Sequence, residues 1–158
     1  MKQTKHQTIA VNMLIVNKRL FFDYNIHQTF EAGIELTGEE VKSIRQNHVG
    51  INGCFACVKE NEAWIFNWNI PKYKQAFINK NHDPYRPKKL LLKRSEINRI
   101  LGKLKRSGYS IVASKLYSNK RGFLKLELAL VTSKKKYDKR QYIREKDEQR
   151  EAARKFKD

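Results

Sequence analysis

Between residues 123 and 131 apolar and polar positions alternate. Leu124, Leu126, Leu128 and Leu130 fall on one side, Lys125 and Glu127 on the other. That period of two predicts a strand with one face in a core. Residues 109–117 read as its partner strand, with residues 118–122 as the turn. Just upstream the period lengthens. Ile97, Ile100, Leu101 and Leu104 follow the i, i+3, i+4, i+7 spacing of an amphipathic helix, with Ser95 as its N-cap and Gly108 as its stop. A shorter helix opens at Thr37-Gly38-Glu39-Glu40, which has the spacing of a capping box. It turns Val41 and Ile44 inward and leaves Lys42 and Arg45 together on another face; Gly50 and Gly53 follow it. Residues 55–59 and 63–68 flank Glu60-Asn61-Glu62 and predict a hairpin. Residues 71–87 hold all 3 prolines and read as a loop or a short, poorly packed helix. The N-terminal region mixes apolar stretches at 9–13, 24–26 and 30–36 with the basic pair Lys18-Arg19.

Several short strands and two or three helices in about 130 residues suit a small barrel better than an open parallel sheet. The expected fold is therefore mainly β with α (α+β): a small closed antiparallel β-barrel, OB-like, with about three helices. The expected division is a flexible N-terminus (1–8), a barrel domain (9–132) and a basic C-terminal tail (133–158). Only Tyr137, Tyr142, Ile143 and Phe156 are large and apolar in the tail, against eleven Lys and Arg and six Asp and Glu. Glu151 precedes Arg154 and Lys155 at helix-favouring spacings. Isolated helices of this length are marginal in water, so the tail is expected to be disordered alone and to fold where a partner neutralises it.

Composition sharpens the functional reading. The chain has 34 Lys and Arg against 16 Asp and Glu, a net charge of +18. Self-repulsion of that size is most easily tolerated against a polyanion. Nine cations and one acid, Glu96, lie between Arg86 and Arg106, and the tail opens Lys134-Lys135-Lys136-Tyr137-Asp138-Lys139-Arg140. Cations neutralise phosphates and an aromatic ring stacks on an unpaired base, which favours nucleic acid, and RNA over DNA. The apolar runs at 13–16 and 90–92 fall far below the roughly 20 residues a membrane span needs, and no signal-like stretch opens the chain. The expected compartment is the cytoplasm, with no membrane partner.

Chemistry is sparse. Cys54 and Cys57 have Cys-x-x-Cys spacing, but His6, His27, His48 and His82 supply no second pair, so no metal or cofactor is expected. Phosphate-loop, zinc-protease and nucleophile-elbow motifs are missing from the sequence. Glu31, Glu35, Glu39 and Glu40 lie close enough to imitate a metal-dependent nuclease site. Glu40 is the better candidate for capping its helix, and Glu31 for accepting hydrogen bonds from a base or the backbone. Non-enzymatic RNA binding is the expectation. A structural module held on ribosomal RNA and a metal-dependent ribonuclease remain as alternatives.

Three groups of residues carry a family resemblance. Asn17-Lys18-Arg19, Phe30-Glu31-Ala32-Gly33-Ile34 and the run from Gly38 through Glu40-Val41-Lys42-Ser43-Ile44-Arg45 form the first. Asp83-Pro84-x-Arg86 with Lys89-Leu90-Leu91-Leu92 forms the second, and Lys134-Lys135-x-Tyr137-Asp138-Lys139-Arg140 the third. In this order and spacing, from about residue 9 to the end, the chain resembles the SsrA-binding protein (SmpB) family. It departs from the pattern at Ser133, where the family usually has Gly, and at Gly50-Ile51 and Cys54, where Asn-Ile and a Ser are common. The change at Cys54 puts a polar contact in question.

The resemblance implies an OB-related barrel whose body binds the tRNA-like domain of transfer-messenger RNA and promotes its aminoacylation. Delivery occurs with elongation factor Tu, met on the same RNA. It implies a tail that enters the empty mRNA channel of a stalled ribosome, becomes helical at the 16S rRNA decoding centre and stands in for codon–anticodon pairing during trans-translation. The residues it assigns to the RNA are Lys18, Arg19, Glu31, Lys42, Ser43, Arg45, Arg86, Lys89 and Leu91. Those it assigns to the decoding centre are Lys134, Lys135, Tyr137, Asp138, Lys139 and Arg140, with Tyr137 stacking on a ribosomal base. A monomer is expected.

Overall fold

In a computed structural model the described residues are 12–46, 49–74 and 82–155. The expected flexible N-terminus, most of the 9–13 stretch, His48 and Phe156 lie outside them. Among these residues the architecture is mixed α+β, a seven-stranded antiparallel sheet with four helices. In chain order the elements are β1 (Asn12–Val16), α1 (Leu20–Asp23), β2 (Tyr24–Ile34), α2 (Gly38–Arg45), β3 (Phe55–Lys59) and β4 (Glu62–Phe66). They continue with β5 (Lys88–Leu91), α3 (Arg94–Leu104), β6 (Tyr109–Ser118), β7 (Leu124–Ser133) and α4 (Lys136–Lys155). The strand order is β1-β6-β3-β4-β5-β2-β7, and β6 pairs in addition with β7.

The alternation in β7 sets the core. Leu126, Leu128 and Leu130 are buried against Phe30, Ala32, Ile44, Ile65, Ile111 and Leu116. Two register shifts redirect neighbouring strands: between Ile26 and Gln28 in β2, and between Ala113 and Lys115 in β6. Beyond the first, Phe30 and Ala32 share the inward face of Leu128 and Leu126, while Ile26 stands opposite Val131 on the outer face. There Ala129, Val131 and Val112 pack beneath Leu20 of α1 in a second, smaller cluster. Simple alternation does not reveal that β7 is covered on both faces near its end. Asn17 fastens this end of the sheet to the shifted stretch of β6: its N–H donates to the Ser114 carbonyl at 2.8 Å and its Nδ2 to the Ala113 carbonyl at 3.0 Å.

The hairpin β3–β4 turns through Glu60 and Asn61, both at positive φ (52° and 64°), the conformation that matches strand twist in a two-residue connection. β4 stops at Phe66, short of the predicted residue 68, and buried Trp68 follows it. α3 begins earlier than a Ser95 cap predicts. The Glu96 carboxylate accepts from the Lys93 N–H at 2.9 Å, which makes Lys93 the N-cap. The predicted loop at 71–87 has no helix among its described residues.

In the tail, Lys136–Lys155 forms a helix with no buried residue. The physical reason is α1, which no periodicity announces. The Asp23 carbonyl accepts from the Lys134 N–H at 2.9 Å, and the Asp23 carboxylate pairs with Lys139 at 3.0 Å. Phe22 meets the Tyr142 ring edge-on at 6.2 Å. These contacts fix the first two turns, and helix propagation then needs only one bond per residue.

Candidate nucleic-acid interface

The outward residues of β6, β7, β2 and β5 make one polar face. Register places Glu31 opposite Glu127, Gly33 opposite both Lys125 and Leu91, and Tyr117 opposite Lys125. The Tyr117 hydroxyl donates to Glu31, and Lys125 stands 4.0 Å from the same carboxylate. Burial and the neighbouring carboxylate push the Tyr117 phenol above its usual range, which keeps its proton available for donation. Leu91 is 55% exposed and lies over Gly33, where a Cβ would meet the Leu91 Cβ at 3.1 Å. Gly33 therefore lets an apolar side chain lie flat on a strand next to a tyrosine–carboxylate pair. Lys115 and Glu127 pair at 3.3 Å beside this face.

At its rim β2 leads into α2, capped as predicted. The Thr37 N–H donates to Glu40 Oε2 at 2.9 Å, and the Glu40 N–H to Thr37 Oγ1 at 3.3 Å. Glu40 also receives Arg86, through Nε at 2.8 Å and Nη2 at 2.5 Å. Arg45 donates to the Gly122 carbonyl at 3.2 Å, which ties α2 to the β6–β7 turn and leaves Phe123 64% exposed beside it. Ile34, Leu36, Val41 and Leu124 complete a cavity of about 160 Å³ there. Lys42 is exposed on the adjoining surface.

The residues assigned to the RNA thus fall into three groups. Glu31, Lys42, Arg45 and Leu91 surround the C-terminal end of β2 and reach the surface. Arg86 and Lys89 lie there too, but each has a carboxylate partner, Glu40 and Glu62 respectively. Ser43 is buried, and its hydroxyl donates to the Pro71 carbonyl at 2.7 Å, so it holds the following loop against α2. Lys18 and Arg19 are exposed at the opposite end of the sheet, beside α1. Sequence reasoning did not single out Tyr117, Lys125 and Phe123, which the fold brings to this candidate site. For Lys125 the signal was present in its outward place in the β7 alternation.

Lys88 was also missed, and it is fully buried. Its Nζ donates to the Trp68 carbonyl at 2.8 Å and the Pro84 carbonyl at 3.0 Å. Burial draws its pKa down, partly countered by Glu40. At the position where a Ser is common, the Cys54 thiol donates to the Asn67 carbonyl at 3.4 Å. Burial pushes its thiol up to about 12. Among the described residues no three His, Cys, Asp or Glu side chains gather as a metal site. No helix among them is long and apolar enough to cross a membrane.

The tail motif divides in two. Lys134 reaches the Phe21 carbonyl at 2.6 Å and sits over the Tyr142 ring at 4.6 Å, while Lys139 pairs with Asp23. Asp138 accepts from the Lys135 N–H at 3.2 Å and caps α4. Lys135, Tyr137 and Arg140 project outward, and Tyr137 is 74% exposed.

The family model described as SmpB protein matches residues 14–158. An SsrA-binding protein of Thermosipho melanesiensis is 45% identical over 137 residues, 87% of this chain and 92% of that one. The SsrA-binding protein of Bacillus cereus is 46% identical over 143 residues, 90% of each. A solved structure described as "tmRNA-SmpB: a journey to the center of the bacterial ribosome" superposes with a TM-score of 0.64 at 41% identity, covering 77% of this chain and 85% of its own.

Proposed function

The chain belongs to the SmpB protein family, and from that premise we propose that it binds the tRNA-like domain of transfer-messenger RNA and brings it to stalled ribosomes for trans-translation. The names of the relatives and the ribosomal setting of the similar structure support this reading. The observation that carries the division of labour is the separation of two sets of groups. Glu31, Leu91, Lys125, Arg45 and Lys42 gather where β2 ends, and the tail leaves from where β2 begins, with Tyr24 opposite Ser133. β2 has 11 residues, so the two ends are about 35 Å apart along the strand.

At the first end an exposed leucine, an aromatic hydroxyl and several cations suit a folded RNA elbow, gripped by shape and phosphate. At the other, α4 is 20 residues long, about 30 Å of helix without a buried side chain. A helix of that kind suits a phosphate-lined channel such as the empty mRNA path, with Tyr137, Lys135 and Arg140 aimed at the decoding centre. Elongation factor Tu is met indirectly, on the same RNA.

We read the sheet as a closed, OB-like barrel, because β6, β3, β4, β5, β2 and β7 each pair on two sides. Residues 9–132 are the binding body and 133–158 the ribosomal tail. The chain acts in the cytoplasm as a monomer and performs no covalent chemistry. The test is a pull-down of cellular RNA on the purified protein at moderate salt, sequenced against total RNA. Strong enrichment of transfer-messenger RNA supports the reading; enrichment that follows bulk ribosomal RNA overturns it in favour of a structural ribosomal component.

A further inference from the structure

The outer face of the β3–β4 hairpin takes part in neither region described above. Ala56, Ala63 and Ile65 point into the core, which leaves Phe55, Cys57, Trp64 and Phe66 on the opposite side. Register sets Phe55 against Phe66 and Cys57 against Trp64. The Phe55 and Phe66 rings stack, with centroids 5.8 Å apart and planes 17° apart, and Phe55 is 46% exposed. Trp64 and Phe66 are part-exposed beside it, so the three rings form one outward aromatic strip.

Cations bound this strip at both ends. Arg19 lines the same cleft as Phe55, about 410 Å³ in volume. The Asp23 carboxylate in that cleft is already paired with Lys139. At the hairpin tip, Lys89 stands opposite Trp64, Lys59 opposite Glu62, and Arg94 donates to the Asn61 carbonyl at 3.1 Å. There Glu62 is already paired with Lys89, which leaves Lys59 and Arg94 against Glu60.

We propose that this face is a second RNA-binding surface, which takes an unpaired stretch of about four nucleotides, the lower end of the range for a barrel of this kind. The bases stack on Phe55, Phe66 and Trp64. The phosphates meet Arg19 at one end and Lys59 and Arg94 at the other. Rings flanked by cations in a chain of net charge +18 fit single-stranded RNA, because every base offers a face to stack and every linkage a charge. The surface adjoins the interface around Leu91 across β5 but needs none of its residues.

The test uses the full chain and a hexauridylate RNA carrying one 4-thiouracil. Three results are expected. Photo-cross-links fall within residues 55–66. Tryptophan emission is quenched on binding, and this reports Trp64 because Trp68 is only 1% exposed. Phe55→Ala weakens binding about tenfold without changing the salt dependence, while Phe55→Tyr stays within twofold of the parent. Cross-links confined to α2 and the tail, or Phe55→Ala binding the hexamer as the parent does, would overturn the proposal. Affinity for the isolated tRNA-like domain, measured on the same proteins, is expected to be unchanged by Phe55→Ala. Failure of this surface is thereby separated from failure of the proposed function.

Discussion

Arg86 is where sequence reasoning and structure assign different work to one side chain, and a double-mutant cycle with Glu40 separates them. Glu40 is 1% exposed and Arg86 is 34% exposed at its side chain, joined by two charge-assisted hydrogen bonds. An exposed pair contributes about 0.2–1 kcal/mol, and breaking a fully buried one costs about 3–5 kcal/mol. With one partner buried and the other part-exposed, the coupling should lie near 2 kcal/mol. Arg86→Ala leaves the Glu40 carboxylate buried with only the Thr37 N–H, for a loss of about 3 kcal/mol. Glu40→Ala loses the pairing and in addition the capping bond, worth about 1 kcal/mol. Urea unfolding of the parent, the two single variants and the double variant gives the coupling directly. A coupling below about 0.5 kcal/mol, with Arg86→Ala as stable as the parent, would refute the argument. In that case Arg86 would be a phosphate ligand, and its loss would reduce the salt slope of RNA binding by about one.

Other consequences are open to simple assays. Tyr137→Ala should leave the melting temperature unchanged and sharply reduce tagging on stalled ribosomes; an unchanged tagging yield removes the ring from the mechanism. Asp23→Ala removes the Lys139 pair and should release the base of α4, at a cost of about 0.5 kcal/mol. Faster proteolysis within 134–142 with unchanged melting of the body would show that release, whereas unchanged cleavage would contradict it. Stability should decline as pH rises from about 9 towards 12. The buried Cys54 thiol keeps its proton when folded but loses it near 9.0 when unfolded, so the unfolded state binds fewer protons in that window. Lys88, with its pKa drawn down, acts in the opposite sense in the alkaline range, so the comparison is with Cys54→Ala, whose decline should be shallower. Equal slopes would refute the assignment.

The legible parts of the fold were those in which one physical requirement governs a whole segment. A strand with one buried face must alternate, and β7 does so from Leu124 to Leu130. A helix opening after an extended residue needs its first N–H groups satisfied, and Thr37 with Glu40 announced that in four letters. Elements whose stability comes from elsewhere were not legible. α1 has 4 residues and buries only Leu20, so no period exists to detect, yet it covers Val131 and anchors the tail. β5 buries Lys88, a residue that pattern reading sends to solvent, because the Trp68 carbonyl and the Pro84 carbonyl of the preceding loop converge on its amine. In the candidate site the motifs are visible in the sequence and the partnerships of their side chains are not. Arg86, Lys89 and Ser43 read from sequence as three surface groups, and only the fold brings Glu40, Glu62 and the Pro71 carbonyl to them.

The proposed function divides the chain into a body that holds the RNA and a tail that acts on the ribosome. The most direct measurement compares the full chain with one ending at Ser133, which keeps β7 whole. Both are assayed in one reconstituted translation for affinity to transfer-messenger RNA and for tagging of a stalled product. Affinity is expected to stay within about twofold, since none of the groups around the end of β2 is removed, and tagging is expected to be lost. Loss of affinity together with tagging, or tagging that survives the truncation, would contradict it.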